Sequence, residues 1–305
     1  MRAAISNSVP TSRRAQALTV MELLVSVAVM TVIVFGLYSM FAYTQNALRN
    51  NVTQVDVFDS GRAASEMIGR ELEELSASGL RARPNLLAVR TGAPLIQTDL
   101  DNVTPLRTNV LQDLFFLTSF TNKWTGIGYR VAAVDGVGTL YRFAVTANVH
   151  QLATNDMVAH FQAAGVDPRK GIVSTNLHRV TDGVIHFRVV AYDQSGRKLD
   201  VYEPLGFTNF VRQVLKPGQN LPTNSAATIF IRPDVAGARP NQTEFFFTSN
   251  ALPAYVELEM GVLERATFEQ YLSVQGTQLA PKFLRERANK VHLFRERIPI
   301  RTAVQ

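Results

Sequence analysis

The chain contains no cysteine. That excludes a disulfide framework, an iron–sulfur site, a thiolate zinc site and a cysteine nucleophile. It leaves the compartment open, because exported proteins need not carry disulfides. Catalytic signatures are missing too. There is no HExxH, no GxSxG, no phosphate-binding loop and no GxGxxG after a strand. The histidines His150, His160, His178, His186 and His292 include no pair at i, i+4. His186 stands on an alternating segment beside Arg188 and reads as a partly exposed structural residue. Asp193 and Asp200 flank a turn, but calcium takes six to eight oxygens, and two acids do not supply them. No metal, no cofactor and no enzymatic activity are expected.

Charge is missing in one stretch. From Leu23 to Tyr43 about 21 residues pass without a charged side chain, enough to cross the hydrocarbon core of a bilayer as a helix. The rest has ordinary hydrophobic content, and 305 residues suffice for one large or two ordinary domains. The net charge is +6. Much of it sits between Lys282 and Arg301, where Lys282, Arg285, Arg287, Lys290, Arg295, Arg297 and Arg301 face only Glu286 and Glu296. Such a set is a candidate patch for phosphate or an acidic partner, nucleic acid included. With no run of adjacent basic residues, a solvated face with scattered charges is the competing reading.

The apolar stretch has structured flanks. Residues 1–17 carry Arg2, Arg13 and Arg14 and no acid, and Arg49 is the first charge after the stretch. The positive-inside rule puts the N-terminus in the cytoplasm and everything after Tyr43 outside. An ordinary secretory signal would need small residues at the far end of the run. Here Ala15-Gln16-Ala17 precedes it, and Ser39-Met40-Phe41-Ala42-Tyr43 makes a poor cut site. A plain uncleaved anchor is the other competing reading. Glu22 argues against both, since an acid in a membrane helix costs about 2.5–3.5 kcal/mol on insertion scales. Such a carboxylate calls for a cation, and a cut after Ala17 would create one in the α-amino group of Leu18.

The string Ala17-Leu18-Thr19-Val20-Met21-Glu22-Leu23 resembles the processing site of type IV prepilins, with Ala17 and Leu18 where glycine and phenylalanine are usual. The resemblance implies cleavage between Ala17 and Leu18 by a prepilin peptidase and N-methylation of Leu18. It also implies that Thr19 and Glu22 serve peptidase recognition and assembly, Glu22 as the acid at the fifth mature position. Residues Ser60 to Leu72 resemble the region after the anchor in PilW-type minor pilins. The Asp182–Phe187 strand with its Tyr192–Gly196 turn resembles a feature of PilW and of the J-type pseudopilins of type II secretion. The implied fold is α+β and pilin-like, a long N-terminal helix packed on an antiparallel β-rich C-terminal domain.

Helical character continues past the anchor. Arg62–Leu75 is rich in helix formers, with a stripe at Ala64, Ile68, Leu72 and Leu75. An earlier stripe, Leu48, Val52 and Val55, is out of phase, so a bend or slip is expected at Asp59-Ser60-Gly61. A helix from 18 to about Ser78 would be about 90 Å long, with Gly79 as C-cap. The competing reading is two helices with a hinge. The layout expected is a leader (1–17), a membrane and filament-packing segment (18–43), an amphipathic continuation (44–80) and an extracytoplasmic domain (81–305). Acids Glu71, Glu73 and Glu74 read as a solvated face with an Arg70–Glu74 pair.

Beyond Pro84 short runs and turns take over. Phe115–Phe120 is an apolar run. Ile127-Tyr129-Val131 and Tyr141-Phe143-Val145 alternate and join through Asp135-Gly136, a hairpin signal. Asn155–Ala164 and Glu264–Val274 read as helices. Strands are expected over Ile185–Ala191, Val256–Val262 and Val291–Ile300, and loops over Thr98–Val110 and Lys216–Ala227.

These readings predict a structural protein: a minor pilin or pseudopilin held in the cytoplasmic membrane, assembling with other such subunits into a type IV pilus or type II secretion pseudopilus. The alternatives are a DNA-binding or adhesive filament-tip module using the basic C-terminal residues, and a plain membrane-tethered protein.

Overall fold

A computed structural model describes residues 19–81, 83–98, 105–167, 171–172, 174–199, 212–216, 219–222, 225–232 and 244–304. The chain forms two compact units that divide at Val52/Thr53. One helix, α1 (Val20–Glu73), contributes to both.

In the first unit α1 is apolar on every side. Every large apolar side chain from Val20 to Tyr43 is more than half exposed. Three hydroxyls of this stretch bond back to the helix: Ser26 donates to the Glu22 carbonyl, Thr31 to Val27 O at 2.7 Å and Thr44 to Met40 O at 2.9 Å. A hydroxyl satisfied by its own helix needs no partner from lipid.

The second unit is built on antiparallel strands: β1 (Pro84–Arg90), β2 (Leu95–Thr98), β3 (Pro105–Asn109), β4 (Gln112–Phe120), β5 (Lys123–Val134), β6 (Val137–Asn148), β7 (Val166–Asp167), β8 (Gly171–Ile172), β9 (Leu177–Tyr192), β10 (Arg212–Val214), β11 (Ile229–Arg232), β12 (Glu244–Thr248), β13 (Tyr255–Leu263) and β14 (Val291–Pro299). Ten of them form one sheet in the order β10-β11-β12-β1-β4-β5-β6-β9-β13-β14; β2–β3 and β7–β8 are separate two-stranded ribbons. Every pair is antiparallel except β10–β11. Three short helices decorate the sheet: α2 (Met157–Ala163), α3 (Arg265–Val274) and α4 (Ala280–Arg285).

Strand alternation sorts the apolar side chains to two faces. Leu86, Leu114, Phe116, Ile127, Phe245 and Phe247 join the core that includes Ala64, Ile68, Leu72 and Leu75 of the α1 end. Their sequence neighbours Leu87, Phe115, Leu117 and Phe246 join the opposite core, sealed by Met157 and Phe161 of α2. A third cluster packs Tyr271 of α3 and Leu284 of α4 on Val137, Ile185 and Leu263. The α+β class, the long helix and the antiparallel sheet therefore stand as the sequence pattern indicates. So does the hairpin: β5 and β6 pair from Lys123↔Asn148 to Val134↔Val137. Asp135 and Gly136 in its turn have φ of 51° and 91°, the left-handed pair that a tight two-residue loop requires.

Several expectations are corrected. The helix continues unbroken through Asp59-Ser60-Gly61. Gly61 serves a close approach instead of a break, because a Cβ there would lie 2.2 Å from the Phe294 ring of β14. The helix ends at Glu73, five residues before Ser78. Leu75 forms a bridge with Thr118 and Ser76 N donates to Leu117 O at 2.8 Å, so the backbone leaves the helix to pair with β4. The C-terminal turn closes over the same point: Arg301 pairs with Glu73, and Thr302 Oγ1 donates to Leu75 O. The expected loop Thr98–Val110 contains β3, paired with β2.

Candidate functional site

Two regions carry the candidate residues. The first is the start of α1; Ala17 and Leu18, the expected cleavage residues, lie outside the described residues. Thr19 and Glu22 lie within them and touch. Thr19 N donates to Glu22 Oε2 at 3.1 Å, Thr19 Oγ1 donates to the same oxygen at 3.2 Å, and Glu22 N donates to Thr19 Oγ1 at 3.3 Å. This reciprocal pattern is a capping box, with Thr19 as N-cap and Glu22 as the third helical residue. The Thr-x-x-Glu spacing before an apolar run is its sequence signature, and the prepilin reading of the same two residues passes over it. Glu22 thus has a local role, ordering the first turn and placing negative charge at the positive end of the helix dipole. Its Oε1 accepts no hydrogen bond among the described residues.

The helix that Glu22 caps is of membrane length. Val20–Gln45 spans 26 residues, and its most apolar 18-residue stretch has a mean hydropathy of 2.5 with none of it buried. At 1.5 Å per residue it is about 39 Å long, more than the roughly 30 Å hydrocarbon core of a bilayer. By length and composition it can serve as an anchor or as a signal sequence.

The second region is the basic C-terminal set, most of whose members have an acid or an aromatic ring of the same domain beside them. On β14, Arg297 reaches Glu257 at 3.2 Å and lies over the Tyr192 ring at 4.8 Å. Arg295 pairs with Glu257 at 3.5 Å and also with Glu259. Lys290 meets Glu264 at 3.1 Å, and Lys282 stands 4.0 Å from Glu286. The Arg287 guanidinium covers the Phe283 ring at 3.6 Å. Arg285 is exposed on α4. The acids that neutralise β14 come from β13, about forty residues away in sequence, and no local signal announces them.

Two strands in from β14 lies a buried polar cluster centred on His186 of β9. Contrary to the sequence expectation of partial exposure, His186 is only 6 % exposed. Its Nε2 faces Glu259 Oε2 at 3.4 Å, and its Nδ1 accepts from Val110 N at 3.1 Å. Arg188 Nη1 stands 3.6 Å from the same Glu259 oxygen. Glu259 is held down to about 2 by His186 first, then by Arg188 and Arg295, against the opposing cost of burial.

The acids at the end of α1 also differ from expectation. Arg70 pairs with Glu66 at 3.8 Å, and Glu71 turns into the sheet. Arg142 grips Glu71 with Nε at 2.8 Å and Nη2 at 2.6 Å, and the Tyr129 hydroxyl donates to its other oxygen. Burial, reinforced by the Glu71 charge, pushes the Tyr129 phenol well above its ordinary range.

An open groove of about 860 Å³ is lined by Ser60, Thr181, Val262 and Phe268, among others. Four charges of its lining are paired with each other, Arg179 with Asp182 and Arg265 with Glu269. Asp193, considered for calcium, is used by its own turn: Oδ1 accepts from Ser195 N and Oγ and from Arg197 N. Asp200 lies outside the described residues. Among the described residues no three His, Asp or Glu side chains gather as a metal site. The chain matches no family model, no curated protein and no solved structure.

Proposed function

We propose that the chain is a minor pilin or pseudopilin subunit, anchored in the cytoplasmic membrane through Val20–Gln45 and carrying its sheet domain outside. The observation that carries this reading is the combination of a fully exposed, uncharged apolar helix with a single acid at its first turn. A plain anchor gains nothing from that acid beyond a cap that a serine or threonine alone provides. Among the described residues Glu22 Oε1 accepts no hydrogen bond while Oε2 serves the cap, so one oxygen can order the helix and the other can take a cation from a neighbouring subunit. The amine that cleavage after Ala17 would expose on Leu18 fits that role. Prepilin peptidase and the other subunits are the partners implied. Arg295, Arg297, Lys290 and Lys282 are matched by acids of the same domain. Pairing with these acids weakens the field a nucleic acid would meet, while Arg285, exposed on α4, and Arg287, over the Phe283 ring, have no acid in those pairs.

The test is the N-terminal residue of protein extracted from membranes. A start at methylated Leu18 is the expected result. An intact Met1, or a start beyond Ala42, overturns the reading.

A further inference from the structure

The buried cluster around His186 sits where the sheet changes partners. β6 pairs with β9 as far as Val184. From there the edge of β9 is taken by the segment that links the β2–β3 ribbon to β4. Phe187 N donates to Val110 O at 2.8 Å, Leu111 bridges Phe187, and Val189 N donates to Gln112 Oε1 at 2.8 Å. The last contact in this row is the Val110 N–H on His186 Nδ1. A side chain of β9 thus accepts from the backbone of the segment lying beside it.

That bond fixes the proton on the ring. Nδ1 accepts, so the neutral imidazole carries its hydrogen on Nε2, facing Glu259. In the imidazolium both nitrogens are donors. Val110 N–H would then point at another N–H with no acceptor between them, a buried unpaired donor. The charged groups around the ring are Glu259 on β13, Arg188 on β9, Arg107 on β3 and, through Glu259, Arg295 on β14. One carboxylate thus faces three guanidinium groups.

We infer that His186 is an acid-sensitive latch: while neutral it holds Val110-Leu111, and with them the β2–β3 ribbon, against β9, and protonation at Nδ1 releases that contact while the rest of the sheet stays paired. Burial first, then Arg107 and Arg188, lower the affinity of the closed ring for a proton, with Glu259 acting the other way. The sign is set by linkage. The latch is fully closed above the ordinary histidine value of about 6.5 that an opened ring would have, and closure weakens as pH falls below it, down to the lowered value of the closed ring.

Amide hydrogen exchange on the detergent-solubilised full chain tests this. After correction for the chemical exchange rate, peptides spanning Leu95–Thr98 and Pro105–Leu111 should exchange faster on acidification below the histidine range, by up to about tenfold per pH unit. The β5–β6 hairpin should hold its protection. In His186→Asn, the amide oxygen can accept near the Nδ1 position and cannot titrate, so ribbon exchange should be independent of pH. Nitrogen shifts of the His186 ring give a readout that needs no variant: the neutral Nε2–H form at neutral pH, titrating together with the exchange. Unchanged ribbon protection, equal acceleration of the hairpin, the same pH dependence in His186→Asn, or a ring already charged at neutral pH would each overturn the latch.

Discussion

The two ends of α1 are one helix under opposite rules. From Val20 to Tyr43 every large apolar side chain is exposed, whereas from Val57 to Leu75 the apolar stripe of Val57, Ala64, Ile68, Leu72 and Leu75 lies under the sheet. The difference is one of pattern. The first end is apolar around its whole circumference and can be satisfied only by an apolar surrounding or by other helices. The second gathers most of its apolar residues into one stripe and keeps Arg62, Glu66 and Arg70 for water, linked by pairs of 2.8 and 3.8 Å. Composition decides which end needs the sheet and which needs something outside this chain.

Substitutions can separate the two ends. The largest effect is expected from Leu72→Ala, which empties a site that is 0 % exposed. The loss should be about 2–5 kcal/mol in denaturant unfolding of the sheet domain, with membrane extraction behaviour unchanged. A loss below about 1 kcal/mol would mean that the stripe does not carry the packing assigned to it. Next comes Val32→Arg, near the middle of Val20–Gln45. A cation there costs about 2.5–3.5 kcal/mol of insertion, read as a shift from the membrane to the soluble fraction. The unfolding midpoint of the sheet domain should not move; if it does, the two ends are not independent. The smallest effect is expected from Thr19→Ala, which removes the cap and should cost about 1 kcal/mol of helix stability. It should emerge as faster amide exchange confined to the first turn of α1, and a change reaching beyond Met30 would argue against a local cap.

Sequence legibility divides along the same line. Features that depend on local pattern could be read: the uncharged run, the stripe at Ile68 and Leu72, the Asp135-Gly136 turn and the alternation of β9 and β13. Features that depend on a distant partner could not. Glu71 looks like its neighbours Glu73 and Glu74 until Arg142 and Tyr129 are brought against it by the sheet. Arg295 and Arg297 look like free positive charge until β13 supplies Glu257 and Glu259 in register. His186 alternates with Arg188 as if on a solvated face, and is buried because Val110 and the β2–β3 ribbon cover it. The end of α1 at Glu73 comes from a bridge to β4 and not from a stop signal, since Gly79 with φ of 72° stands six residues farther on. The capping box is the exception, a local signal that was present and masked by a second meaning of the same residues.

The tie at the end of α1 has a mechanical meaning. Leu75 and Ser76 join the backbone of β4, the fifth strand of ten, and the C-terminal turn closes on the same place through Arg301 and Thr302. Tension applied along the last turns of α1 therefore enters the sheet at its middle and not at an edge strand that could peel away one hydrogen bond at a time. The load would be shared sideways through the β1–β4 and β4–β5 ladders.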